Sequence, residues 1–393
     1  MQTPFAYYPN LQLLFIGCRD SIILREENLD TFNEFLKIHA GKYIFTAFGY
    51  DLKNQFENLN SSHKDVFDFP DVLAFVPEQV IELSKGNPTI LFGEKRISEY
   101  TNAFIQKIVE DKEIPYPQIS LLPSIDKETY IHQVKSVQSE IQYGNCYELN
   151  FCQQYVGNAV ESFDTLGVFL NLYRKTKSPF SVYFHFDTWE VMCLSPERYL
   201  QKVGNKIVSQ PIKGTIRRGK DDVEDQFLQK KLKSDLKEQS ENVMIVDLVR
   251  NDLSKIARKG SVKVEELFGI YQFQTLHHMI STVSCELKPN ISLSQCLEAT
   301  FPMGSMTGAP KKKVMELIES HESFKRGLYS GAIGYIQPNG DFDFNVVIRS
   351  LFYNNSLKTL SCAVGSAITI KAIAENEYNE CEVKIGNLIR SFL

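Results

Sequence analysis

Short apolar segments separated by polar turns recur along the chain, and they restrict the possible folds more than any other feature of the sequence. In the first 115 residues these segments read LQLLFIG, KYIFTAFGY, VLAFVP and TILFG. Segments of this kind predict strands, with one or two helices between them. The later segments SVYFHFD, EVMCLS and KIVSQ mix apolar and polar faces, which favours antiparallel pairing. The sequence therefore predicts strands and helices built on antiparallel sheet.

The composition is that of an ordinary globular protein. Of the 393 residues, 43% are hydrophobic and 23% are charged, which is enough to form one very large core or two ordinary ones. A net charge of -5, with no dense block of Lys and Arg, argues against a nucleic-acid-binding surface. We therefore expect the local basic groups to serve a small anion.

The sequence also predicts the cellular compartment of the protein. Its eight cysteines are scattered without a C-x-x-C pair, so neither a zinc site nor a disulfide framework is predicted. No run approaches the roughly 20 apolar residues that span a bilayer. The start, MQTPFAYYPN, lacks the basic and apolar regions of an export signal. We expect a cytoplasmic protein with reduced thiols and no membrane contact.

A proline-rich stretch over residues 111–124 is typical of a linker. Pro115, Pro117 and Pro123 remove backbone donors and block helix formation. This predicts a boundary between an N-terminal segment, residues 1–115, that packs on the core and a catalytic domain, residues 122–393. Beyond the boundary, residues 221–257 have the pattern of one long helix, and a last helix is predicted from about Glu375.

The segment SQPIKGTIRRG contains Lys213, a candidate for covalent chemistry. Pro211 and Gly214 indicate a turn or strand end from which Lys213 projects into a cleft. Arg217 and Arg218 are like charges, so we expect them, with partial burial, to lower the pKa of Lys213 and make it a nucleophile. Taken alone, the segment is more typical of a solvated basic loop.

Two pairs of glutamates have the spacing that places side chains on one helix face. Glu238 and Glu241 lie three residues apart, as do Glu377 and Glu380. If the two helices face each other, four carboxylates converge and repel one another unless a cation binds. Mg²⁺, which prefers oxygen ligands, is the expected ion. The alternative is that these glutamates are simply solvated.

The loop FPMGSMTGAP has features that are typical of an anion-binding site. Pro310 ends the loop where a helix is predicted to begin, so free N–H groups of the first turn, with Ser305 and Thr307, could bind a carboxylate or phosphate. The alternative is a plain capped helix. The sequence has no Walker pattern, so nucleotide binding is not implied.

Three further positions are candidates for substrate contact. Arg349 lies in the apolar segment FNVVIRSLF, predicted as a strand, and a buried guanidinium needs a partner such as a bidentate carboxylate. His278 follows His277 in a strand-like run, where a histidine is more often structural than catalytic. Small residues at 365–367 predict a turn whose N–H groups approach a ligand, or simply a tight strand end.

Several long motifs, taken in order, resemble the chorismate-utilising enzymes. From residue 126 to the end of the chain they read LSPERYL, PIKGTIRRG, DLKEQSENVMIVDLVRND, FPMGSMTGAPKKKVMELIE, RGLYSGAIGY and NVVIRSL. The N-terminal part resembles the family only at FTAFGYDLKN. The resemblance implies an α+β, anthranilate synthase component I-like fold, in which helices flank two large antiparallel β-sheets and the active cleft lies between the sheets.

The resemblance also implies roles for individual residues. Mg²⁺ is implied to bind the ring carboxylate of chorismate through Glu238, Glu241, Glu377 and Glu380. Glu197 is implied to be the general acid that protonates the departing C4 hydroxyl, and Arg349 to face the enolpyruvyl carboxylate. The residues implied to line the substrate pocket are Gly214, Thr215, His278, Ser305, Tyr329, Arg349, Gly365, Ser366, Ala367 and Lys384.

The sequence around Lys213 indicates which branch of the family the chain resembles. It reads P-I-K-G-T, the form of aminodeoxychorismate synthase component I in folate biosynthesis, whereas anthranilate synthases read P-I-A-G-T. In the former branch the lysine is thought to add at C2 before ammonia enters at C4. Glu148 stands where isochorismate and salicylate synthases have a water-activating lysine, and where glutamine is commoner in the amine-transferring branches.

The resemblance implies a partner as well as a reaction. The chain has no G-x-C-x-G segment that would act as a glutaminase nucleophile. Ammonia is therefore expected from a separate glutamine amidotransferase subunit, or from free ammonium. Two alternatives stay open: anthranilate synthase component I, and a non-catalytic protein that senses chorismate.

Overall fold

The computed structural model describes residues 3–84, 88–110, 112, 114, 119–159 and 163–389. The strands in these ranges are β1 (Phe5–Tyr8), β2 (Leu13–Ile16), β3 (Asp20–Leu24), β4 (Ile44–Phe48), β5 (Val72–Val76), β6 (Gln79–Glu82), β7 (Thr89–Gly93), β8 (Leu122–Pro123), β9 (Glu148–Asn158), β10 (Phe180–Phe186), β11 (Trp189–Ser195), β12 (Arg198–Val203), β13 (Lys206–Gln210), β14 (Ile212–Arg217), β15 (Lys263–Gln272), β16 (Leu276–Glu286), β17 (Gly308–Ala309), β18 (Ala332–Ile336), β19 (Phe342–Val346), β20 (Ser350–Asn354) and β21 (Thr359–Ile368).

The helices in the same ranges are α1 (Leu29–Ile38), α2 (Lys53–Glu57), α3 (Glu99–Val109), α4 (Lys127–Gln142), α5 (Thr165–Thr176), α6 (Asp222–Ser234), α7 (Leu236–Ile256), α8 (Leu293–Thr300), α9 (Lys311–His321) and α10 (Ala374–Ile389). A short 3₁₀ turn, Gly304–Met306, precedes β17. No helix in the described part of the chain has both the length and the apolar character that crossing a membrane requires.

The strands form two large antiparallel sheets. The first sheet has the order β17-β9-β21-β20-β11-β10-β1-β2-β6-β7, with β8 also paired to β9. The second has the order β14-β16-β13-β12-β19-β18-β4-β5-β3, with β15 also paired to β16. Helices flank these sheets, so the predicted α+β fold with two large antiparallel sheets is confirmed.

Aromatic side chains fill the space between the two sheets. Phe184 of the first sheet meets Phe45 of the second with ring centroids 5.0 Å apart, and Phe186 meets Phe75 at 5.7 Å. Side chains alternate along a strand, so Tyr183, which directly precedes Phe184, points to the opposite face and packs on Phe169 of α5 with ring centroids 5.6 Å apart. Burial of both faces explains why β10 is apolar or aromatic almost throughout.

The N-terminal strands belong to the same two sheets as the rest of the chain. Strand β1 pairs with β10 in the first sheet, and β4 pairs with β18 in the second. The proposed linker prolines Pro115 and Pro117 lie outside the described residues. The division into residues 1–115 and 122–393 therefore stays a prediction.

The single long helix predicted over residues 221–257 is wrong. The segment forms two helices, α6 and α7, separated by Asp235 in an extended conformation with φ -72° and ψ 112°. The Asp235 side chain accepts hydrogen bonds from the N–H groups of Lys237 and Glu238. An aspartate that caps the following helix competes with helix continuation, and this break places Glu238 in the first turn of α7.

Candidate active site

A cavity of about 440 Å³ opens between strands of both sheets and two helices. Its wall is formed by β14 and β16 of the second sheet, the end of β21 in the first sheet, and α7 and α10. The catalytic, metal-binding and substrate-binding residues that the family resemblance implies all lie in this wall: Glu197, Lys213, Gly214, Thr215, Glu238, Glu241, His278, Ser305, Tyr329, Arg349, Gly365, Ser366, Ala367, Glu377, Glu380 and Lys384. Their roles stay predictions.

Lys213 is the second residue of β14, close to the strand end that the sequence predicted. The pairing of β14 with β16 shifts register between Ile212 and Thr215, which is the mark of a β-bulge. Gly214 adopts φ 90° at this point, a conformation that favours glycine. Bulges re-aim side chains near functional sites, so this one accounts for a strand lysine whose side chain reaches the cavity.

The Lys213 side chain forms an ion pair with Glu148, the first residue of β9. Lys213 Nζ lies 2.6 Å from Glu148 Oε1, and the two side chains are 11% and 2% exposed. Burial lowers the pKa of Lys213, but the carboxylates of Glu148 and Glu241 outweigh burial and raise it. The pair joins the two sheets at the cavity, and Lys213 is an ammonium ion in the free protein.

The predicted lowering of the Lys213 pKa by its neighbours in sequence is wrong. Arg217 and Arg218 form ion pairs with Glu224 and Asp225 of α6. Their charges are therefore compensated on the outer side of β14. The dominant charges near Lys213 are carboxylates, which stabilise its protonated form.

Glu197 is buried in the connection between β11 and β12. Burial raises the pKa of Glu197 to about 7, although the Ser305 hydroxyl, the Ile212 N–H group and Lys213 oppose the rise. A carboxyl group with such a pKa is protonated in a substantial fraction of molecules at neutral pH. Glu197 can therefore act as a proton donor in the cavity.

The two glutamate pairs face the cavity from α7 and α10. The members of each pair share one helix face, as their spacing predicted. Burial raises the pKa of Glu241 to about 7 and also raises the pKa of Glu238 and Glu377. The pKa of Glu380 is lowered despite burial, because Lys384 Nζ lies 2.6 Å from Glu380 Oε1. Three of the four acids thus resist ionisation when no cation compensates them.

The chemistry of these four residues fits a hard divalent cation, since they supply only carboxylate oxygens. They also repel one another: Glu380 contributes to the raised pKa of both Glu238 and Glu377. Among the described residues, no group of three His, Cys, Asp or Glu side chains is close enough to ligate one ion. The acids share a cavity without being drawn together to ligand distance.

Arg349 lies in the connection between β19 and β20, so its predicted position inside a strand is wrong. It adopts φ 53°, a left-handed conformation that is strained for a residue with a side chain. In the described ranges no carboxylate forms an ion pair with its guanidinium. Burial and Arg349 together lower the pKa of His278 to about 3, so this histidine is neutral and Arg349 supplies the positive charge.

Residues 365–367 belong to β21 and do not form the predicted turn. Strand β20 pairs only with residues 359–361 of β21, so the later part has one open edge. Gly365 O accepts a hydrogen bond from Lys384 Nζ at 2.7 Å across that edge. Backbone groups alternate in direction along an antiparallel strand, so the N–H groups of Gly365 and Ala367 also face the cavity side.

The loop before α9 contributes Ser305 to the cavity. The N-terminus of α9, which was predicted to bind an anion, does not reach the cavity. The Thr307 hydroxyl is buried and donates to Met303 O at 3.1 Å, so it is not free to bind an anion. Pro310 occupies the N-cap of α9 as predicted, but the first turn of that helix is not part of the cavity wall.

Sequence reasoning missed a buried ion pair behind the cavity. Arg326 Nη2 lies 2.5 Å from Glu322 Oε1, and both side chains are 1% exposed. Arg326 also donates to Met306 O at 2.7 Å and to Asn150 O at 2.8 Å, and both of those residues line the cavity. The four-residue spacing of Glu322 and Arg326 was the sequence feature that could have predicted this ion pair.

Replacing Arg326 with methionine should lower the free energy of unfolding by about 3–5 kcal/mol, because it leaves the Glu322 carboxylate buried without its partner. Urea denaturation followed by circular dichroism measures the change. The control is Arg250→Met, which breaks the exposed Arg250–Asp247 pair and should alter stability little. Equal effects of the two substitutions would contradict the proposed importance of the buried pair.

Two antiparallel sheets enclose a cavity lined by glutamates, by three lysines and by an arginine that has no ion-pair partner in the described part of the chain. This combination defines an enzyme site for a small polyanion. The family described as chorismate binding enzyme matches residues 9–390. The chain belongs to this family.

Individual relatives differ in the reactions named for them. The chain is 31% identical over 370 residues to aminodeoxychorismate synthase component 1 of Escherichia coli K12, covering 94% of this chain and 80% of that protein. It is 35% identical over 371 residues to the chloroplastic aminodeoxychorismate synthase of Arabidopsis thaliana, covering 88% of this chain but 39% of that protein. It is also 29% identical over 383 residues to anthranilate synthase component 1 of Lactococcus lactis, covering 93% of this chain and 81% of that protein.

Solved structures share the fold. Anthranilate synthase component I from Streptococcus pneumoniae superposes with a TM-score of 0.81 at 24% identity, covering 97% of this chain and 92% of that one. The menaquinone-specific isochorismate synthase of Escherichia coli gives 0.78 at 19% identity, covering 100% and 89%. At these identities the likeness supports the fold alone.

Proposed function

We propose that this chain aminates chorismate at C4 as an aminodeoxychorismate synthase component 1, a step toward para-aminobenzoate and folate. The observation that carries the proposal is Lys213 in the cavity wall, within the P-I-K-G-T segment. The raised pKa of Glu197 supplies a proton donor in the same cavity, and the most similar relatives named above include two aminodeoxychorismate synthases.

The cavity offers partners for both carboxylates of such a substrate. Arg349 has no ion-pair partner among the described residues, and a guanidinium pairs best with a bidentate carboxylate. The open edge of β21 supplies N–H groups beside it. We assign the enolpyruvyl carboxylate to this side and the ring carboxylate to the side of the four glutamates.

The reaction that these residues support has two stages. In the first, the lone pair of the Lys213 amine forms a bond to C2, the C1–C2 double bond shifts to C1–C6, the C5–C6 double bond shifts to C4–C5, and the C4 hydroxyl leaves as water with the proton of Glu197. In the second, ammonia adds at C4, the double bonds return to C5–C6 and C1–C2, and the C2–N bond breaks to release Lys213. Splitting one substitution into two displacements is the general advantage of a covalent intermediate.

The proposal includes Mg²⁺ held by Glu238, Glu241, Glu377 and Glu380. When bound, the ion would offset the negative charge of these acids and of the ring carboxylate. The raised pKa of three of the acids in its absence supports this assignment.

The Glu377→Gln substitution should weaken Mg²⁺ binding by at least about tenfold, the lower end of effects seen around metal sites. Isothermal titration calorimetry of Mg²⁺ into the protein, with and without chorismate, measures this directly. Glu375→Gln is the matched control, because Glu375 lies on the same helix and is exposed. Equal affinities in the two variants would refute the metal assignment.

The ammonia source is part of the proposal. The relative in Escherichia coli is named as a component 1, which supports the idea of a second subunit. We propose a glutamine amidotransferase in that place, with free ammonium able to replace it. The cavity supplies only the chorismate half of the reaction.

The deciding experiment incubates the purified chain with chorismate, Mg²⁺ and an ammonium salt, and identifies the product by mass spectrometry and a pyruvate assay. We expect an aminated product that retains the enolpyruvyl group. The second candidate, anthranilate synthase, is favoured by the 29% identical relative of that name and would yield anthranilate and pyruvate. Binding of chorismate without any product would instead indicate a non-catalytic sensor.

A further inference from the structure

Glu148 is a buried carboxylate with an incomplete set of hydrogen bonds. Its Oε1 accepts from Lys213 Nζ at 2.6 Å. Its Oε2 is inaccessible to solvent and has no hydrogen-bond partner among the described residues. A carboxylate can accept several hydrogen bonds. Stabilisation of the buried Glu148 carboxylate therefore depends mainly on Lys213.

Other acids surround Lys213 without forming an ion pair with it. Glu197, from the connection after β11, and Glu241, from α7, act on Lys213 through space. Glu238 of α7 and Glu380 of α10 have a weaker influence of the same kind. Within the described ranges, Glu148 is the one carboxylate paired with the lysine, and it is therefore the nearest group able to take a proton from Nζ.

The chemistry proposed above needs Lys213 as a neutral amine, whereas the free protein holds an ammonium ion. The proton has to leave before a C–N bond can form. Both side chains of the pair are nearly inaccessible to water, and a substrate in the cavity would cover them further. Removing water disfavours a charged pair relative to a neutral one, so substrate binding itself promotes proton transfer within the pair.

We propose that Glu148 is the proton acceptor that converts Lys213 from an ammonium ion into the attacking amine. This inference rests on the proposed function. The proton moves from Lys213 Nζ to Glu148, and the freed lone pair then forms the bond to C2 while the C4 hydroxyl leaves with the proton of Glu197. After ammonia displaces the lysine, Glu148 returns its proton to Nζ, and the new ammonium group at C4 gives one proton to Glu197.

The proposal predicts a distinctive dependence on pH. The charged pair and the neutral pair carry the same number of protons, so the unmodified protein need not release a proton to solvent to activate Lys213. Glu148→Gln keeps the size of the side chain and an oxygen acceptor but cannot take the proton. In that variant Lys213 must deprotonate into solvent, while Glu197 and Glu241 still favour its charged form.

The experiment measures kcat/KM for amination by E148Q and by the unmodified protein from pH 6 to pH 9, and uses their ratio. Titration of ammonia and of Glu197 affects both proteins and cancels in the ratio. We expect the E148Q value to be at least tenfold lower at pH 6 and the ratio to rise about tenfold per pH unit until Lys213 deprotonates. Glu148→Asp, which retains a carboxylate, should restore a flat ratio.

A second measurement does not depend on catalysis. Competitive acetylation of the substrate-free proteins, analysed by mass spectrometry, reports the pKa of Lys213, which should be lower in E148Q than in the unmodified protein. A ratio of kcat/KM that is constant with pH, or an unchanged Lys213 titration, overturns the role of Glu148. Failure of the unmodified protein to form any aminated product overturns the proposed function instead.

Discussion

Replacing Lys213 with alanine is expected to lower the rate of chorismate amination by roughly 10³-fold or more, because the change removes the nucleophile of the first displacement. The measurement is the initial rate of aminated product, followed by mass spectrometry at saturating chorismate, Mg²⁺ and ammonium. Lys213 contributes one of many contacts to the cavity wall, so calorimetry should show that chorismate still binds.

Lys220→Ala is the control for this experiment. Lys220 is exposed just beyond the end of β14, so its loss should leave the rate unchanged. If the Lys213→Ala protein forms the aminated product at the rate of the unmodified protein, ammonia adds to chorismate directly and the covalent stage does not exist. The proposed role of Glu148 would then fall as well, since it serves that stage.

The second large effect is expected from Glu197→Gln, which should reduce the amination rate by about 10²–10⁴-fold, the usual contribution of a general acid. Glutamine retains the shape of the side chain but has no proton to donate to the leaving hydroxyl. The acid form of Glu197 predominates below its pKa of about 7. At a constant concentration of free ammonia, the rate of the unmodified protein should therefore fall as pH rises through about 7.

Glu286→Gln provides the comparison, because Glu286 is an exposed residue at the end of β16. It should keep both the rate and the pH profile. A Glu197→Gln protein that retains most of its activity, or that shows the same decline above pH 7, would assign the proton donor to another group. Glu241, whose pKa is also about 7, would then be the next residue to test.

The sequence predicted the parts of the structure that depend on local pattern. Strand alternation led to antiparallel sheets, and the three-residue spacing of Glu238 with Glu241 correctly placed both side chains on one helix face. The break between α6 and α7 was missed because the apolar pattern continues through it. Only the capping geometry of Asp235 ends one helix and begins the next.

The electrostatics of the site could not be predicted in the same way. The like charges Arg217 and Arg218 are close to Lys213 in sequence, but both are paired with α6 in the fold. The group that governs Lys213 is Glu148, which is 65 residues away in the chain. A pKa depends on neighbours in space, and these become known only when the two sheets are in place.

The first 93 residues supply β1, β2, β6 and β7 at one end of the first sheet and β3, β4 and β5 at one end of the second. A chain shortened to the part that bears the catalytic motifs would leave β10 and β18 with bare backbone along one side. Strands whose N–H and C=O groups are unpaired along one side form hydrogen bonds with strands of other molecules. Truncation would therefore yield a self-associating, insoluble product, and engineering of this protein has to retain its beginning.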